Sequence, residues 1–207
     1  GGSTAGNTPV NITGTNLSYA SSAQFGPWTV PVTVVNDNLI TCLTPANPVG
    51  LVDVTVNDYG GQSSTLDDAY MYAPPPVPTL CTPNNGTIAG GTPVTISGTG
   101  LAYITSVTFD GIPATNVIAV NDTTVTCETP LHAPGVVNVV VQDPYSQQGT
   151  IVAGFTYNAT PTLTDITPDF GPSTGGTPCT LTGTNFMVGA QVLFDGVPAT
   201  NVVVSHP

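Results

Sequence analysis

A twelve-residue phrase recurs along this chain and constrains its fold more than any other feature. GGTPVTISGTGL occupies residues 90–101, and GGTPCTLTGTNF occupies residues 175–186. A looser copy, GNTPVNITGTNL, occupies residues 6–17. Because internal self-similarity is the signature of a repeated architecture, we take the repeat to define how the chain is organised.

The second copy predicts an antiparallel β-sandwich. Its apolar residues alternate with polar ones between Gly, Pro and Asp turns, which is typical of strands with one buried face. Hydrophobic residues make up 40% of the chain and charged residues 6%, a balance unlike that of disordered segments. The predicted inward-facing residues of this copy are Val94, Ile96, Val107, Phe109, Val125, Cys127, Val137, Val139, Val141, Phe155 and Tyr157.

The other two copies repeat the same order of motifs and divide the chain into three predicted units. The first lacks a counterpart of the segment PTLCTP, with which the second begins, and the third stops after its early strands. We therefore expect the sequence to be a window cut from a longer array. The predicted units are residues 1–74, a domain lacking its first strand; residues 77–157, a complete domain; and residues 161–207, the N-terminal part of a third. The proline-rich linker APPPVP between the first two predicts a semi-rigid row.

These motifs resemble those of the IPT/TIG immunoglobulin-like domain. The segments that match most closely are Ile166–Pro168, Gly175–Phe186 and Val192–Ala199, and the resemblance extends over nearly the whole chain. It implies an all-β fold of tandem early-set immunoglobulin-like sandwiches. It does not imply a function, since such domains occur in cell-surface receptors, in adhesins, beside carbohydrate-active enzymes and in Rel-type transcription factors.

Charge excludes several classes of partner. The chain has no Lys or Arg and 12 Asp and Glu residues, for a net charge of −12. It therefore has no side-chain cations to bind nucleic acid or an anionic membrane surface. It also has no apolar run near the roughly 20 residues that a membrane-spanning helix needs. A surface without trypsin-like cleavage sites predicts an extracellular or cell-surface location, with a virion surface as a further alternative.

The four cysteines, Cys42, Cys81, Cys127 and Cys179, all occupy predicted core positions. Buried free cysteine behaves as a small hydrophobe, whereas an oxidising compartment favours disulfides. Cys81 and Cys127 are the one pair within a complete copy. In an immunoglobulin-like sheet, however, the second strand usually lies between their two strands, so a bridge requires the first strand to swerve. The sequence leaves both alternatives open.

Five Asn-x-Ser/Thr sequons are candidate N-glycosylation sites. Asn11 is predicted on the outward face of a strand, and the other four are predicted in loops, turns or a linker. The alternative is that Asn is simply frequent in turns. The candidate glycan-bearing residues are Asn11, Asn16, Asn85, Asn121 and Asn158.

No pattern indicates catalysis, a cofactor or a metal site. His132 and His206 fall in predicted loops, and Asp110 and Asp195 belong to a repeated Phe-Asp-Gly turn that backbone geometry explains. Trp28 lies where the first copy departs from that turn. It is interpreted as a packing residue, with a ligand platform or a contact to a neighbouring module as alternatives.

These observations favour a non-enzymatic extracellular structural or assembly module, part of a filament, stalk or surface coat. Lysine commonly protects exposed edge strands from unwanted pairing, and its absence here suggests self-association. The expected partners are further copies or other extracellular proteins, and also glycans. The alternatives are an adhesin or receptor ectodomain that binds a protein or sugar, and an accessory domain of a polysaccharide-active enzyme.

Overall fold

The computed structural model describes residues 1–205, and β-strands dominate it. Two sequence predictions, the loop at His206 and the last two residues of the third unit, lie outside the described residues. One 3-10 helix, Leu17–Tyr19, interrupts the strands. Within the part of the chain that the structure describes, no helix is long and apolar enough to cross a membrane.

The second unit forms a two-layer sandwich. One sheet has the strand order β10-β17-β16-β12-β13, and the other has the order β14-β15-β11-β9. The strands are β9 (Val77–Thr82), β10 (Asn85–Thr87), β11 (Pro93–Thr99), β12 (Ser106–Phe109), β13 (Ile112–Pro113), β14 (Thr115–Asn121), β15 (Thr124–Glu128), β16 (Gly135–Gln142) and β17 (Gln148–Asn158).

All of the predicted inward-facing residues of this unit are buried, which confirms the predicted alternation. An aromatic trio fills the centre of the sandwich. Phe109 contacts Phe155 edge to face at a centroid distance of 5.3 Å, and Phe155 contacts Tyr157 at 5.0 Å. Such pairs favour this geometry because the positive edge of one ring faces the negative face of the other.

The first unit repeats this arrangement with fewer strands. Its sheets have the orders β1-β8-β7-β3-β4 and β2-β6-β5. Phe25, Tyr70 and Tyr72 form the equivalent aromatic trio. The strands are β1 (Gly2–Ser3), β2 (Pro9–Thr13), β3 (Ala20–Phe25), β4 (Trp28–Pro31), β5 (Thr33–Asn36), β6 (Leu39–Leu43), β7 (Gly50–Asp58) and β8 (Ser63–Ala73).

The two units differ at one sheet edge. In the second unit β9 pairs with β11 and sets Cys81 opposite Ile96, which is completely buried. In the first unit β2 pairs only with β6 among the described strands, and its Val10 and Ile12 are half-buried. The core of the first unit is accordingly less complete.

The third unit consists of two short ribbons. One pairs β18 with β19, and the other pairs β20 with β21. Cys179, predicted as a core residue, is only half-buried, because the described residues place no second sheet over it. The strands are β18 (Thr162–Thr167), β19 (Thr180–Thr184), β20 (Leu193–Phe194) and β21 (Val197–Pro198).

The Phe-Asp-Gly turns have the geometry that their sequence predicts. Asp110 and Gly111 have φ values of 49° and 81°, and Asp195 and Gly196 have φ values of 48° and 82°. Two successive positive φ angles are typical of the type I′ hairpin turn, which Asp-Gly favours. In the first unit Gly26 has a φ of 56° at the equivalent turn.

Candidate functional site

The sequons lie mostly on the surface, although not always in the predicted kind of segment. Asn11, Asn16, Asn85 and Asn121 are exposed, whereas Asn158 is half-buried at the end of β17. The prediction of loops, turns or a linker was wrong for Asn85, which begins β10, and for Asn121 and Asn158, which are the last residues of β14 and β17. Asn suits a strand end because its side chain can hydrogen-bond locally, as where Asn121 Oδ1 accepts a hydrogen bond from the Thr123 amide at 2.8 Å.

The thiols of Cys42, Cys81 and Cys127 are buried and free. Burial raises the pKa of Cys81 to about 11 and, with smaller contributions from Cys81 and Glu128, that of Cys127 to about 12. Strand β11 lies between the strands of Cys81 and Cys127. Strands two positions apart are separated by about 9.5 Å, and a disulfide usually requires Cα atoms within about 7 Å. A bridge would therefore need β9 to move.

The second unit has one contact between a histidine and a carboxylate. His132 stacks on Tyr157 with a centroid distance of 4.8 Å, and its Nε2 lies 3.6 Å from Asp110 Oδ2. Asp110 is largely exposed and occupies the type I′ turn, so the pair is a surface contact of small energetic weight. Among residues 1–205, no group of three or more His, Cys, Asp or Glu side chains is arranged to hold a metal ion.

The most developed polar site is the joint between the first and second units. The linker between them is packed against protein, since Ala73, Pro76 and Pro78 are buried. The second unit packs directly against this linker, because a Cβ on Gly149 would collide with the Pro76 carbonyl and the Pro78 ring. The linker is thus packed against protein at several points, although Pro75 and Val77 are exposed.

A loop at the tip of the β16–β17 hairpin forms the second half of the joint. Asp143 at its start is 3% exposed. Its Oδ1 accepts hydrogen bonds from the Tyr145 amide at 2.9 Å and the Gln147 amide at 2.8 Å, and its Oδ2 accepts one from Gln147 Nε2 at 2.7 Å. The carboxylate therefore fixes both the loop backbone and the Gln147 side chain.

This loop contacts the end of the first unit. Gln147 Nε2 also donates to the Ala73 carbonyl at 3.3 Å, across the joint. The Tyr145 ring lies so close to Gly1 that a Cβ there would clash with it. Burial raises the pKa of Tyr145, and the nearby Asp143, Tyr103 and Tyr70 raise it further. Residues of both units therefore meet around one ordered loop.

Sequence reasoning missed this site. It assigned no function to the loops that follow Asp58, the last residue of β7, and Asp143, which comes directly after β16. In both units a Gln lies four residues after that Asp, at Gln62 and Gln147. This recurring Asp-x-x-x-Gln spacing is the sequence signal that could have revealed the loop.

The IPT/TIG domain family model matches the chain three times in succession. The matched segments are residues 1–72, 76–157 and 161–206. They agree with the three copies of the repeated phrase and with the separate sheets of the structure.

The relatives of this chain are much longer proteins. Human fibrocystin-L is 33% identical over 169 residues, which cover 81% of this chain and 4% of the relative. Plexin-A3 from Rattus norvegicus is 31% identical over 216 residues, covering 95% of this chain and 11% of the relative. A structure of the full extracellular region of plexin A4 matches with a TM-score of 0.45 and 24% identity, over 88% of this chain and 17% of that one. On the three family matches, this chain belongs to the IPT/TIG domain family and is a tandem array of its immunoglobulin-like sandwiches.

Proposed function

We propose that this chain is a non-enzymatic spacer in a longer extracellular protein, where its repeats stand in a semi-rigid row. The observation that carries the proposal is the packed joint between the first two units. A buried proline linker and an ordered loop together restrain the angle between the sandwiches. Two attachments at separate points oppose bending better than a single covalent linker, since each alone would leave a hinge.

The surface chemistry also supports this function. Because the chain has no Lys or Arg, amide and aromatic contacts hold the joint in place of ion pairs with basic side chains. Such contacts are screened little by salt, unlike exposed charge pairs. A spacer outside the cell would keep its shape over a wide range of ionic strength.

The test is the tumbling of the two units in solution. We expect backbone ¹⁵N relaxation to give the first and second units one shared, anisotropic rotational diffusion tensor. Small-angle scattering should give an elongated particle whose dimensions do not change with salt. Independent tumbling of the two units would contradict the spacer function.

We also propose that this protein is a glycoprotein. We expect glycans at the exposed Asn11, Asn16, Asn85 and Asn121 when the protein passes through a secretory pathway that attaches them. Asn158 should be modified least, because it is half-buried and its side chain reaches Asn85 Oδ1 at 3.4 Å. Intact mass of the natively sourced protein, before and after glycosidase treatment, decides this, and an unchanged mass would refute it.

A binding role is the second candidate, and the exposed aromatic side chain of Trp28 favours it. Trp28 is 54% exposed on β4, so packing accounts for only part of its surface. Exposed tryptophan is suited to stacking against sugars or protein side chains. It is the one tryptophan of the chain, so its fluorescence during titration with oligosaccharides or a candidate protein reports directly on this site. A flat titration would rule out the ligand used.

Self-association remains a prediction of the same proposal. Because every copy carries a net negative charge, association should strengthen when salt screens the repulsion. Analytical ultracentrifugation at rising protein and salt concentration measures it. A chain that stays monomeric at millimolar concentration in high salt would exclude it.

A further inference from the structure

The first unit carries a loop that corresponds to the one with which the second unit contacts its neighbour. Asp58 Oδ1 accepts a hydrogen bond from the Gln62 amide at 2.8 Å, as Asp143 Oδ1 does from the Gln147 amide at 2.8 Å. The Asp58 amide donates to the Gln62 carbonyl at 3.0 Å, and the Asp143 amide donates to the Gln147 carbonyl at 3.1 Å. The two loops therefore have the same length and share these two hydrogen bonds, whereas the Asp143 carboxylate also accepts hydrogen bonds from the Tyr145 amide and Gln147 Nε2.

The tyrosines beside the loops also correspond. Tyr19, just after the first copy of the repeated phrase, aligns with Tyr103, just after the second. The Tyr59 amide donates to the Tyr19 carbonyl at 3.1 Å, which ties the loop of the first unit to that tyrosine. We call Tyr19, Asp58, Tyr59 and Gln62 the tyrosine surface.

The two sets differ in what covers them. In the second unit Asp143 is 3% exposed and Tyr103 is 39% exposed, and the end of the first unit contacts the loop through Gln147. On the tyrosine surface Tyr19 is 72% exposed and Tyr59 is 83% exposed. Tyr19 ends the 3-10 helix and Tyr59 lies on the loop. Two such exposed tyrosines, joined through their backbones, are unusual in a surface without a partner, since burying them would contribute free energy.

We propose that the tyrosine surface docks the C-terminal end of another repeat of this kind, as the loop of Asp143 docks the first unit. The Gln62 side chain would donate to the backbone carbonyl that corresponds to Ala73. Tyr59, which occupies the loop position of Pro144 rather than that of Tyr145, would supply the aromatic ring that packs on the end of that repeat. This inference rests on the proposed spacer function, because it extends the same joint by one unit.

The chemistry of the surface suits such an occupant better than a charged one. The tyrosine surface contains no basic side chain, so it offers no cation to an acidic partner. The end of a repeat offers a backbone carbonyl and a tyrosine-lined edge, and the chain already joins these groups once, at Ala73 and Tyr70.

An extended chain tests the proposal. Residues 1–84 are placed directly ahead of residue 1 of the complete chain. The junction follows the repeat, because Gly2 pairs with Tyr72 as Gly86 pairs with Tyr157, so Gly1 takes the place of Asn85. The added segment also supplies a copy of β9 to the open edge of β2. The leading copy carries Tyr59→Phe, so its peptides that contain residue 59 differ in mass from those of the second copy.

Hydrogen exchange with mass spectrometry then compares two segments of the complete chain, residues 58–62 and 143–147. We expect exchange in residues 58–62 to slow by about tenfold or more on extension, to the level of residues 143–147, as for a loop that opens only when its joint opens. If residues 143–147 are protected and residues 58–62 stay unprotected, the docking proposal is overturned and the spacer function stands. If both segments exchange freely, the spacer function fails, and the docking proposal fails with it.

A loop exchange within the 207-residue chain supplies an independent test that does not need the extension to fold. Pro144→Tyr, Tyr145→Gly and Ser146→Gly give the second unit the loop sequence of the first, Asp-Tyr-Gly-Gly-Gln. If the first unit's loop is a docking loop, this variant keeps the joint, with unchanged protection of residues 143–147 and unchanged shared tumbling. Loss of both, in a second unit that remains folded, would show that the sequence of the first loop cannot form the joint.

Discussion

Gly2, Gly86 and Gly171 occupy the same position in the three repeats, directly against the threonine of the repeated phrase. In each unit a Cβ added to the glycine would collide with that threonine side chain. For Gly86 the added atom would meet Thr92 Oγ1 and would lie 2.9 Å from Phe155 Cζ. In the second unit the glycine is therefore required, because the core aromatic and the threonine leave no space for a side chain.

Gly86→Ala should destabilise the second unit by about 2 kcal/mol, as overpacking of a close-packed core does. Gly14→Ala is the matched control, because its Cβ would meet only ordinary contacts of 3.5 Å or more. The control should be neutral or stabilising by up to about 1 kcal/mol. Urea unfolding followed through NMR signals of each unit measures both. Equal effects of the two substitutions would contradict the steric explanation.

Buried thiols should be unreactive in the folded protein. Because burial raises the pKa of Cys81 to about 11 and that of Cys127 to about 12, both stay protonated at pH 8, and thiolate is the reactive form. We expect alkylation of the native chain to label Cys179 first and to leave Cys81 and Cys127 unmodified. Unfolding without reductant should expose all four thiols. If Cys81 and Cys127 remain unlabelled after unfolding, a disulfide joins them instead.

At the scale of elements, the β16–β17 hairpin positions its neighbour through one carboxylate. Asp143→Ala removes an acceptor of three hydrogen bonds, so it should cost about 2 kcal/mol and free the loop. The first unit should then tumble more independently. Asp58→Ala is the control, because the equivalent loop holds no unit in this chain. NMR relaxation distinguishes the two variants, and unchanged tumbling of Asp143→Ala would show that the linker alone fixes the joint.

At the scale of the whole molecule, stability should fall at alkaline pH. Burial raises the pKa of Tyr72 to about 12 from its ordinary 10.0, and the pKa values of the buried Cys81 and Cys127 thiols are raised from 9.0. The unfolded chain therefore loses protons before the folded chain does. The free energy of unfolding should be level below about pH 9 and should decrease progressively between about pH 9 and 12. Urea midpoints across this range measure the change in stability. A midpoint that rises with pH would contradict the raised pKa values of these buried side chains.

The prediction from sequence succeeded where a feature depends on local pattern. Alternation placed Val94 and Ile96 in the core, and Asp-Gly predicted the turn at Asp110. It failed for Cys179, whose position matches Val94 but whose burial depends on a second sheet. It also failed for Asn85 and Asn158, because polar residues at strand ends look like loop residues in a sequence.

The sequence by itself determined that this protein is a series of immunoglobulin-like sandwiches without Lys or Arg, because strand period, turn residues and composition are local properties. Only the tertiary structure decided where its one elaborate polar site lies. Gln147 meets the Ala73 carbonyl and Tyr145 meets Gly1 at the joint, although these residues come from two units. Their meeting depends on how the linker orients one sandwich on the next. That packing joins surfaces that are far apart in the sequence, so no local pattern predicts it.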